Sequence, residues 1–183
     1  MIRLLLWVLG GTLLGGIVHL ATVLILPNLA SQDAYSRLAP IAPVNAVAPL
    51  PPPSAERSSI PFLDPAFAMA VCRYDLTEGP IKLSVPVSPA YTSVSFYTRS
   101  EVAYYAINDR AAGRRVIELD LMTSEQRGDL PGDEEVTAAD RLIVESPTMT
   151  GLIMIKALAP EVGMLPAARS ALAGARCRLQ PQQ

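Results

Sequence analysis

The strongest constraint on this chain is an apolar run near its start, which holds no Asp, Glu, Lys or Arg from Leu4 to Leu26. An α-helix of this length is about 35 Å long and spans the hydrocarbon core of a bilayer, which is about 30 Å thick. The apolar core of a cleaved signal peptide is shorter, about 7–15 residues. We therefore predict that residues 1–26 form an uncleaved transmembrane anchor, with a cleaved signal peptide as the alternative.

The charges that flank this run indicate its orientation. Arg3 and the amino terminus precede it, and Asp33 is the first charged residue after it. Positive residues beside a membrane span favour the cytoplasmic side. The sequence therefore predicts a single-pass protein of the inner (plasma) membrane with a cytoplasmic N-terminus. Residues 27–183 would lie outside the cytoplasm, in the periplasm of a Gram-negative cell, and the lipid bilayer is the first predicted partner.

Three residues inside the run, Gly11, Gly15 and His19, recur at every fourth position and share one face of a helix. Small residues at this spacing let a second helix approach closely, so this face predicts helix packing and a homo-oligomer formed through the membrane span. An ionisable side chain inside a membrane also suggests proton or metal chemistry. A third interpretation of His19 is a polar residue tolerated near the outer end of the span.

Proline dominates the next segment, with 8 prolines between Pro40 and Pro65. Proline fixes φ and lacks an amide donor, which disfavours helix and central strand and favours an extended chain. We predict that residues 27–59 form a proline-rich extended linker that holds the following domain away from the membrane. Recognition by a proline-binding domain is the alternative. Before the prolines, residues 31–38 predict one or two helical turns with Ser31 as the N-cap.

Short strand-like runs separated by turn residues fill the region from residue 60 to residue 160. About seven such strands in succession are typical of an antiparallel sandwich or barrel-like sheet. Residues 161–183 predict a C-terminal helix, at about 165–179, and a tail. The predicted fold is mainly β (α+β), an antiparallel β-sandwich-like module with an N-terminal transmembrane helix and a C-terminal helix.

Composition excludes several classes of function. The net charge is −2, which offers no basic surface for nucleic acid. His19 is the only histidine and there are two cysteines, which excludes histidine-dependent triads outside the membrane and zinc clusters. Phosphate-binding glycine loops and nucleophile elbows do not occur in the sequence. The sequence therefore nominates no catalytic, cofactor or metal residue, and the acidic residues between 129 and 135 predict an exposed turn rather than a calcium site.

Tyrosines form the one candidate ligand surface. Tyr91, Ser93, Ser95 and Tyr97 alternate along a predicted strand and share one of its faces. A polar face with Tyr91 and Tyr97 at its ends is suited to bind a sugar or a peptide. Tyrosine also favours strands for packing reasons alone, and that is the alternative.

The predicted location bears on the two cysteines. Outside the cytoplasm, Cys72 and Cys177 lie in an oxidising compartment, where paired thiols tend to form disulfides. We predict a bond between Cys72 on the first strand of the module and Cys177 near the end of the C-terminal helix, which would pin that helix to the sheet. Two buried free thiols that pack as small hydrophobic groups are the alternative.

Two stretches of the module carry a family resemblance. The first is Ala-Val-Cys-Arg-Tyr-Asp-Leu-Thr-Glu-Gly-Pro at 70–80, followed by Leu-Ser-Val-Pro at 83–86, and the second is Glu-Ser-Pro-Thr-Met-Thr-Gly-Leu-Ile at 145–153, followed by Lys156. Together they resemble a bacterial family of proteins of unknown function, DUF1254, over roughly residues 60–160. Full-length members carry a second β-rich domain. The resemblance therefore implies a short, membrane-anchored form whose partner is a separate protein with that second domain, and it implies no established chemistry.

These observations predict a membrane-anchored extracytoplasmic β-rich module, non-catalytic, that acts as an envelope scaffold or binds a partner protein. The alternative is an envelope carbohydrate- or lipid-binding protein or a hydrolase. An unpaired edge strand or an open apolar patch would favour the first hypothesis. An enclosed pocket lined by Tyr91, Tyr97 and two carboxylates would favour the second.

The predicted topology can be tested with a reporter that is active only outside the cytoplasm. Fused after Gln183, the reporter should be active, and the same reporter fused before Met1 should be inactive, because the span crosses the membrane once. The fusion should remain with membranes through an alkaline wash. Release into the soluble periplasmic fraction, with a new N-terminus near Ser31, would contradict the anchor.

Overall fold

The computed structural model of the protein describes residues 1–29, 33–52, 63–129 and 142–180. The chain forms two compact units, residues 1–32 and residues 33–183. The second unit contains the β-rich part of the chain and is called the module below.

The first unit is a single helix, α1 (Ile2–Leu29). Its segment Ile2–Leu26 has a mean hydropathy of 2.0, so the helix is long and apolar enough to cross a membrane. Length and composition alone support this, and a signal sequence near an N-terminus shares both properties. The hydroxyls of Thr12 and Thr22 each donate to the backbone carbonyl four residues earlier, so these two polar groups need no partner outside the helix.

The module is built mainly from strands, with short helices at their ends. Its elements, in chain order, are α2 (Ala34–Arg37), β1 (Val47–Pro49), β2 (Phe67–Asp75), β3 (Ile81–Pro86), β4 (Thr92–Thr98), β5 (Ala103–Asn108), α3 (Asp109–Ala112), β6 (Val116–Thr123), α4 (Ser124–Gly128), β7 (Leu142–Ser146), β8 (Thr150–Leu158), a 3₁₀ turn (Val162–Met164), α5 (Leu165–Ala173) and β9 (Arg176–Leu179).

These strands form two sheets. The first has five strands in the order β1-β2-β8-β4-β5, and all its pairs are antiparallel. The second has four strands in the order β7-β6-β3-β9, and its β6–β7 pair is parallel. The main core contains buried side chains from both sheets and from α5. The β-rich α+β fold predicted from the sequence, with an N-terminal apolar helix and a C-terminal helix, is confirmed.

Alternation of side chains explains most of these strands. In β3 and β4 every second side chain is buried, as expected for strands with one face on the core. Strand β2 differs, because its residues 68–72 are all buried. Its inward side chains join the main core, and its outward ones, Met69 and Val71, join a second apolar cluster on the opposite face of the five-stranded sheet.

Residues 33–50, called the outer strap below, supply the other half of this second cluster. Tyr35 and Leu38 come from α2 and the turn after it, and Ala42, Ala48 and Leu50 follow. Strand β1, inside the strap, pairs with β2 at the edge of the sheet. The outer strap is therefore part of the module.

The prediction of an extended linker over residues 27–59 is wrong for the outer strap. Its prolines occupy positions that proline tolerates, since Pro49 ends a strand on the sheet edge and Pro40 lies in a turn. Ala42 and Ala48, which lie between these prolines, pack on the sheet. The N-cap of α2 is Asp33, whose side chain accepts the Ser36 amide, and the predicted N-cap Ser31 lies outside the described residues.

The prediction of a helix to about residue 179 is also wrong. Helix α5 ends at Ala173, and the chain after it forms β9, which pairs with β3. In β9 the burial of Cys177 between exposed Arg176 and Arg178 gives the alternation of a strand. The described part of the module therefore contains nine strands, two more than the sequence indicated.

The two cysteines form a disulfide between the sheets. Cys72 lies on β2 and Cys177 on β9, their Cα atoms are 6.5 Å apart, and both side chains are buried. The bond therefore joins one sheet to the other, rather than a helix to a sheet. It closes a loop with a sequence separation of 105 residues. For a loop of this size the chain-entropy model gives a stabilisation of at most about 4–5 kcal/mol.

Replacement of both cysteines, Cys72→Ala with Cys177→Ala, should lower the free energy of unfolding by up to about 4–5 kcal/mol, because the unfolded chain regains the entropy of the open loop. Urea titration of the purified protein measures this loss. Native protein should not react with a thiol reagent unless it is first unfolded and reduced. Two reactive thiols in native, unreduced protein would contradict the bond.

Candidate functional site

The predicted tyrosine face lies on the outer side of the five-stranded sheet. Tyr97, Ser93 and Ser95 belong to β4, and Tyr91 immediately precedes it. Tyr97 packs against the apolar cluster beneath the outer strap, and the Tyr91 carbonyl accepts hydrogen bonds from Ser88 and from the Leu158 amide. The structure thus places the four predicted residues in one row, with one end of the row in contact with the strap cluster.

Two arginines fix the start of the outer strap against the sheet. The ring of Tyr35 is buried, with the guanidinium carbon of Arg73 4.2 Å from its centre and that of Arg99 5.2 Å from it. Arg99 also forms an ion pair with Asp33 at 3.1 Å. Burial raises the pKa of the Tyr35 phenol, so it stays neutral between the two cations. These contacts combine apolar burial with cation–π attraction.

A network of hydroxyl groups crosses the inner face of the five-stranded sheet. The Tyr74 hydroxyl donates to the Tyr97 carbonyl at 3.2 Å, lies 3.0 Å from Ser146 Oγ, and accepts from the Tyr104 hydroxyl at 3.2 Å. Ser146 in turn donates to the Thr148 carbonyl at 2.6 Å. Burial is the main cause that raises the pKa of Tyr104, so its phenol is neutral at physiological pH.

The side chain of Tyr74 reaches these partners because Gly151 leaves room for it. The two residues are paired across β2 and β8, and a Cβ at Gly151 would lie 2.3 Å from the Tyr74 hydroxyl oxygen and 2.2 Å from the Tyr97 carbonyl oxygen. Tyrosine over a cross-strand glycine fills the gap that the missing side chain leaves. Both stretches that carried the family resemblance therefore meet here, at Tyr74, Ser146 and Gly151.

The hydrogen bonds of Ser146 link the strands of this network. A serine nucleophile requires a general base within hydrogen-bond reach. Among the described residues, Ser146 contacts the Tyr74 hydroxyl, donates to the Thr148 carbonyl and accepts from the Thr148 amide, all of which are neutral groups. The sequence analysis missed this network, because the serine, the glycine and the tyrosines come together only through strand pairing.

A shallow cleft lies beside the turn between β3 and β4. It has a volume of about 430 Å³ and is lined by Val87, Ser88, Pro89, Asp109, Gly113, Arg114 and Arg115. Both arginines are exposed, and the Ser88 hydroxyl already donates to the Tyr91 carbonyl. The cleft is open to solvent, so it lacks the enclosure that small-molecule sites usually have.

Other candidate groups are dispersed along the chain. In the part of the chain that the structure describes, no three His, Cys, Asp or Glu residues come together as metal ligands. Asp129 follows α4, and the acidic residues 133–135 lie outside the described residues. Gly11, Gly15 and His19 lie on α1 at the spacing of one helical turn.

The four sheet edges formed by the described strands differ in how they are protected. Strand β1 carries Pro49, β9 carries the exposed Arg176 and Arg178, and β7 carries the exposed Glu145. Proline and charged side chains on an edge oppose pairing with another chain. Strand β5 has neither, since Ala103–Asn108 reads Ala-Tyr-Tyr-Ala-Ile-Asn.

The side chains of β5 are also incompletely covered. Ala103 and Ala106 are exposed, and Tyr104, Tyr105 and Ile107 are half-buried although they pack against the main core. Among the described residues, β5 pairs only with β4. An uncharged edge strand with aromatic and branched side chains is a template for β-pairing.

Comparisons with known proteins concern the module. Residues 44–179 match the sequence profile of a family described as protein of unknown function (DUF1254). No curated protein matches the chain. The crystal structure of the VPA0106 protein from Vibrio parahaemolyticus is similar to it, with a TM-score of 0.56 and 14% identity over 75% of this chain and 31% of that chain. An uncharacterized protein from Burkholderia cenocepacia gives a TM-score of 0.44 and 14% identity, over 72% of this chain and 37% of that chain.

The likeness to the Vibrio protein supports the fold alone, because the identity is low. The matched region is about a third of each solved structure, 31% and 37%. In the Vibrio protein the matched fold is therefore part of a longer chain.

Gly151→Ala should destabilise the module by about 2–4 kcal/mol, because the new methyl group clashes with the Tyr74 hydroxyl and displaces it from its hydrogen bonds. Urea unfolding of the unsubstituted protein and of the Gly151→Ala variant measures the difference in the free energy of unfolding. The control is Gly163→Ala, where a Cβ has no neighbour within 4 Å and the change should stay near zero. Equal losses at the two positions would contradict the role of Gly151.

Proposed function

Because this chain belongs to the DUF1254 family of proteins of unknown function, we propose its role from its own surface. The protein is a membrane-anchored, non-catalytic module outside the cytoplasm that serves envelope assembly as a scaffold. It acts by binding a second protein along the free edge of β5. Helix α1 attaches it to the inner membrane.

The free edge of β5 is the observation that carries this proposal. Of the four sheet edges in the described module, it is the one with no proline and no charged side chain between its ends. A partner strand that adds to this edge would satisfy its backbone amides and carbonyls and would cover the half-buried Tyr105 and Ile107. Main-chain hydrogen bonds supply affinity in this mode, and the aromatic side chains supply specificity.

The partner is a separate protein that carries the second β-rich domain of longer family members. The family resemblance implies such a domain. In the Vibrio protein the matched fold is 31% of a longer chain. In the proposed complex a separate protein provides that β-rich domain and covers the edge of β5.

Helix α1 offers a second contact. Gly11 and Gly15 place two small side chains one turn apart, with His19 on the next turn of the same face. This face is proposed to pack against a helix of the partner or of a second copy of this chain. Membrane attachment of both proteins would raise their effective concentration for pairing at β5.

Site-specific photocrosslinking in native membranes tests the β5 contact. A photoreactive residue in place of Ala106, on the exposed side of β5, should capture one protein that carries a β-rich domain. The same residue in place of Arg178, on the protected edge β9, should not. Capture at both positions, or capture of a second copy of this chain at 106, would contradict the proposal.

A charge variant tests the same contact without relying on capture chemistry. Ala103→Lys with Ala106→Lys should lower co-purification of the captured protein at least about tenfold, because lysines on an edge strand oppose pairing. Both positions are exposed, so the thermal midpoint should not change. Undiminished co-purification by a folded variant would contradict β5 as the interface.

A further inference from the structure

We propose that one end of the module rests on the outer surface of the bilayer, with Val44, Val102 and Met149 inserted into the lipid interface. This anchor end is the end of the five-stranded sheet that contains Asp75 and Thr150. The inference rests on the membrane attachment in the proposed function, and it adds a lipid-contacting surface to the module itself.

The position of Asp33 is the first argument. The described module begins at this residue, and its carboxylate pairs with Arg99 in the turn between β4 and β5. The next amide, of Ala34, donates to Glu101 in the same turn at 2.7 Å. Because Thr98 of β4 is paired with Gly151, next to Thr150, this turn belongs to the anchor end. The chain therefore enters the module at the anchor end.

The length of the connection is the second argument. Three residues, 30–32, separate the last residue of α1, Leu29, from Asp33. Four residue steps reach no more than about 14 Å even when fully extended. The covalent chain alone sets this limit. This short connection favours the anchor end, at which the chain enters the module, as the part of the module that would meet a membrane spanned by α1.

The distribution of exposed apolar side chains is the third argument. Five large apolar residues are exposed in the described module: Ile41, Val44, Val102, Met149 and Val162. Val102 is 60% exposed, Met149 45% and Val44 44%. Exposed apolar groups gathered at one end of a domain mark a contact surface.

Three of these five residues can be placed at the anchor end from their backbone partners. Val102 accepts from the Thr98 amide in the β4–β5 turn, and Met149 accepts from the Leu76 amide in the turn before β8. Val44 bridges to Arg73, beside Asn45, which exchanges hydrogen bonds with Asp75. Val162, in contrast, follows the opposite end of β8.

Several of the charged side chains beside these residues have hydrogen-bond partners within the module. Arg99 is paired with Asp33, Glu101 accepts the Ala34 amide, and Asp75 accepts from the Thr77 amide at 2.9 Å. The two arginines described at this end, Arg73 and Arg99, both lie against the Tyr35 ring, and Arg99 is also paired with Asp33, so these contacts within the module engage them rather than leave a basic cluster for anionic lipid. Insertion of apolar side chains, rather than attraction to charged headgroups, is the expected mode.

Environment-sensitive labels on the full chain test this surface. Val102→Cys, Met149→Cys and the control Val162→Cys would each be labelled with a nitrobenzoxadiazole probe, since both native cysteines are bonded and buried. The labelled proteins are reconstituted without any other protein into phosphatidylcholine vesicles that contain a nitroxide-labelled lipid. The nitroxide lipid should quench the fluorescence of the labels at 102 and 149 at least about twofold more than that of the label at 162.

The outcomes separate this inference from the proposed function. Equal quenching at the three positions, in protein that stays with the vesicles through an alkaline wash, overturns the lipid contact and leaves the anchor intact. Protein that the wash removes overturns the anchor itself. Quenching that needs anionic lipid assigns the contact to charged groups and overturns apolar insertion. If the environment of the labels at 102 and 149 becomes apolar only after the crosslinked partner protein is added, this surface is a protein interface. That result also overturns the lipid contact.

Discussion

Strand β2 is enclosed on both faces, and the packing of the rest of the module depends on that enclosure. On one side its inward residues meet the second sheet, to which Cys72 is bonded through Cys177. On the other side Met69 and Val71 meet the outer strap. A two-sided apolar strand buries more surface than an edge strand, and burial of apolar surface is the main driving force of folding. The sheet, the strap and the disulfide therefore form one structural unit around β2.

Patterns that are local in the sequence were predictable, and contacts that depend on distant residues were not. The uncharged run from Leu4 to Leu26 predicts α1, and alternation in β3 and β4 predicts strands with one buried face. The outer strap was missed for two reasons. Its proline content suggested a linker, and its apolar residues are spaced too irregularly to give a helical or strand period. The contact of Tyr74 with Gly151 joins residues far apart in the chain, and only the pairing of β2 with β8 brings them together.

The same distinction applies to the candidate sites. Tyrosine-rich strands drew attention to Tyr91 and Tyr97 as a ligand face, yet the sequence could not show that the outer strap covers part of that face. Likewise, the strand that contains Tyr104 and Tyr105 was predictable, but its position at a sheet edge follows only from the order of the strands. The most informative surface features of the module are thus products of topology rather than of any motif.

The disulfide has one more consequence, for proteolysis. Strands β3 to β8 lie inside the covalent loop between Cys72 and Cys177, whereas α1 lies outside it on the N-terminal side. A protease that cuts the backbone once anywhere within the loop leaves both fragments joined through the bond. The nicked molecule keeps its helix and its full mass until it is reduced. Damage of this kind would therefore neither shed the module from its attachment nor show on a non-reducing gel.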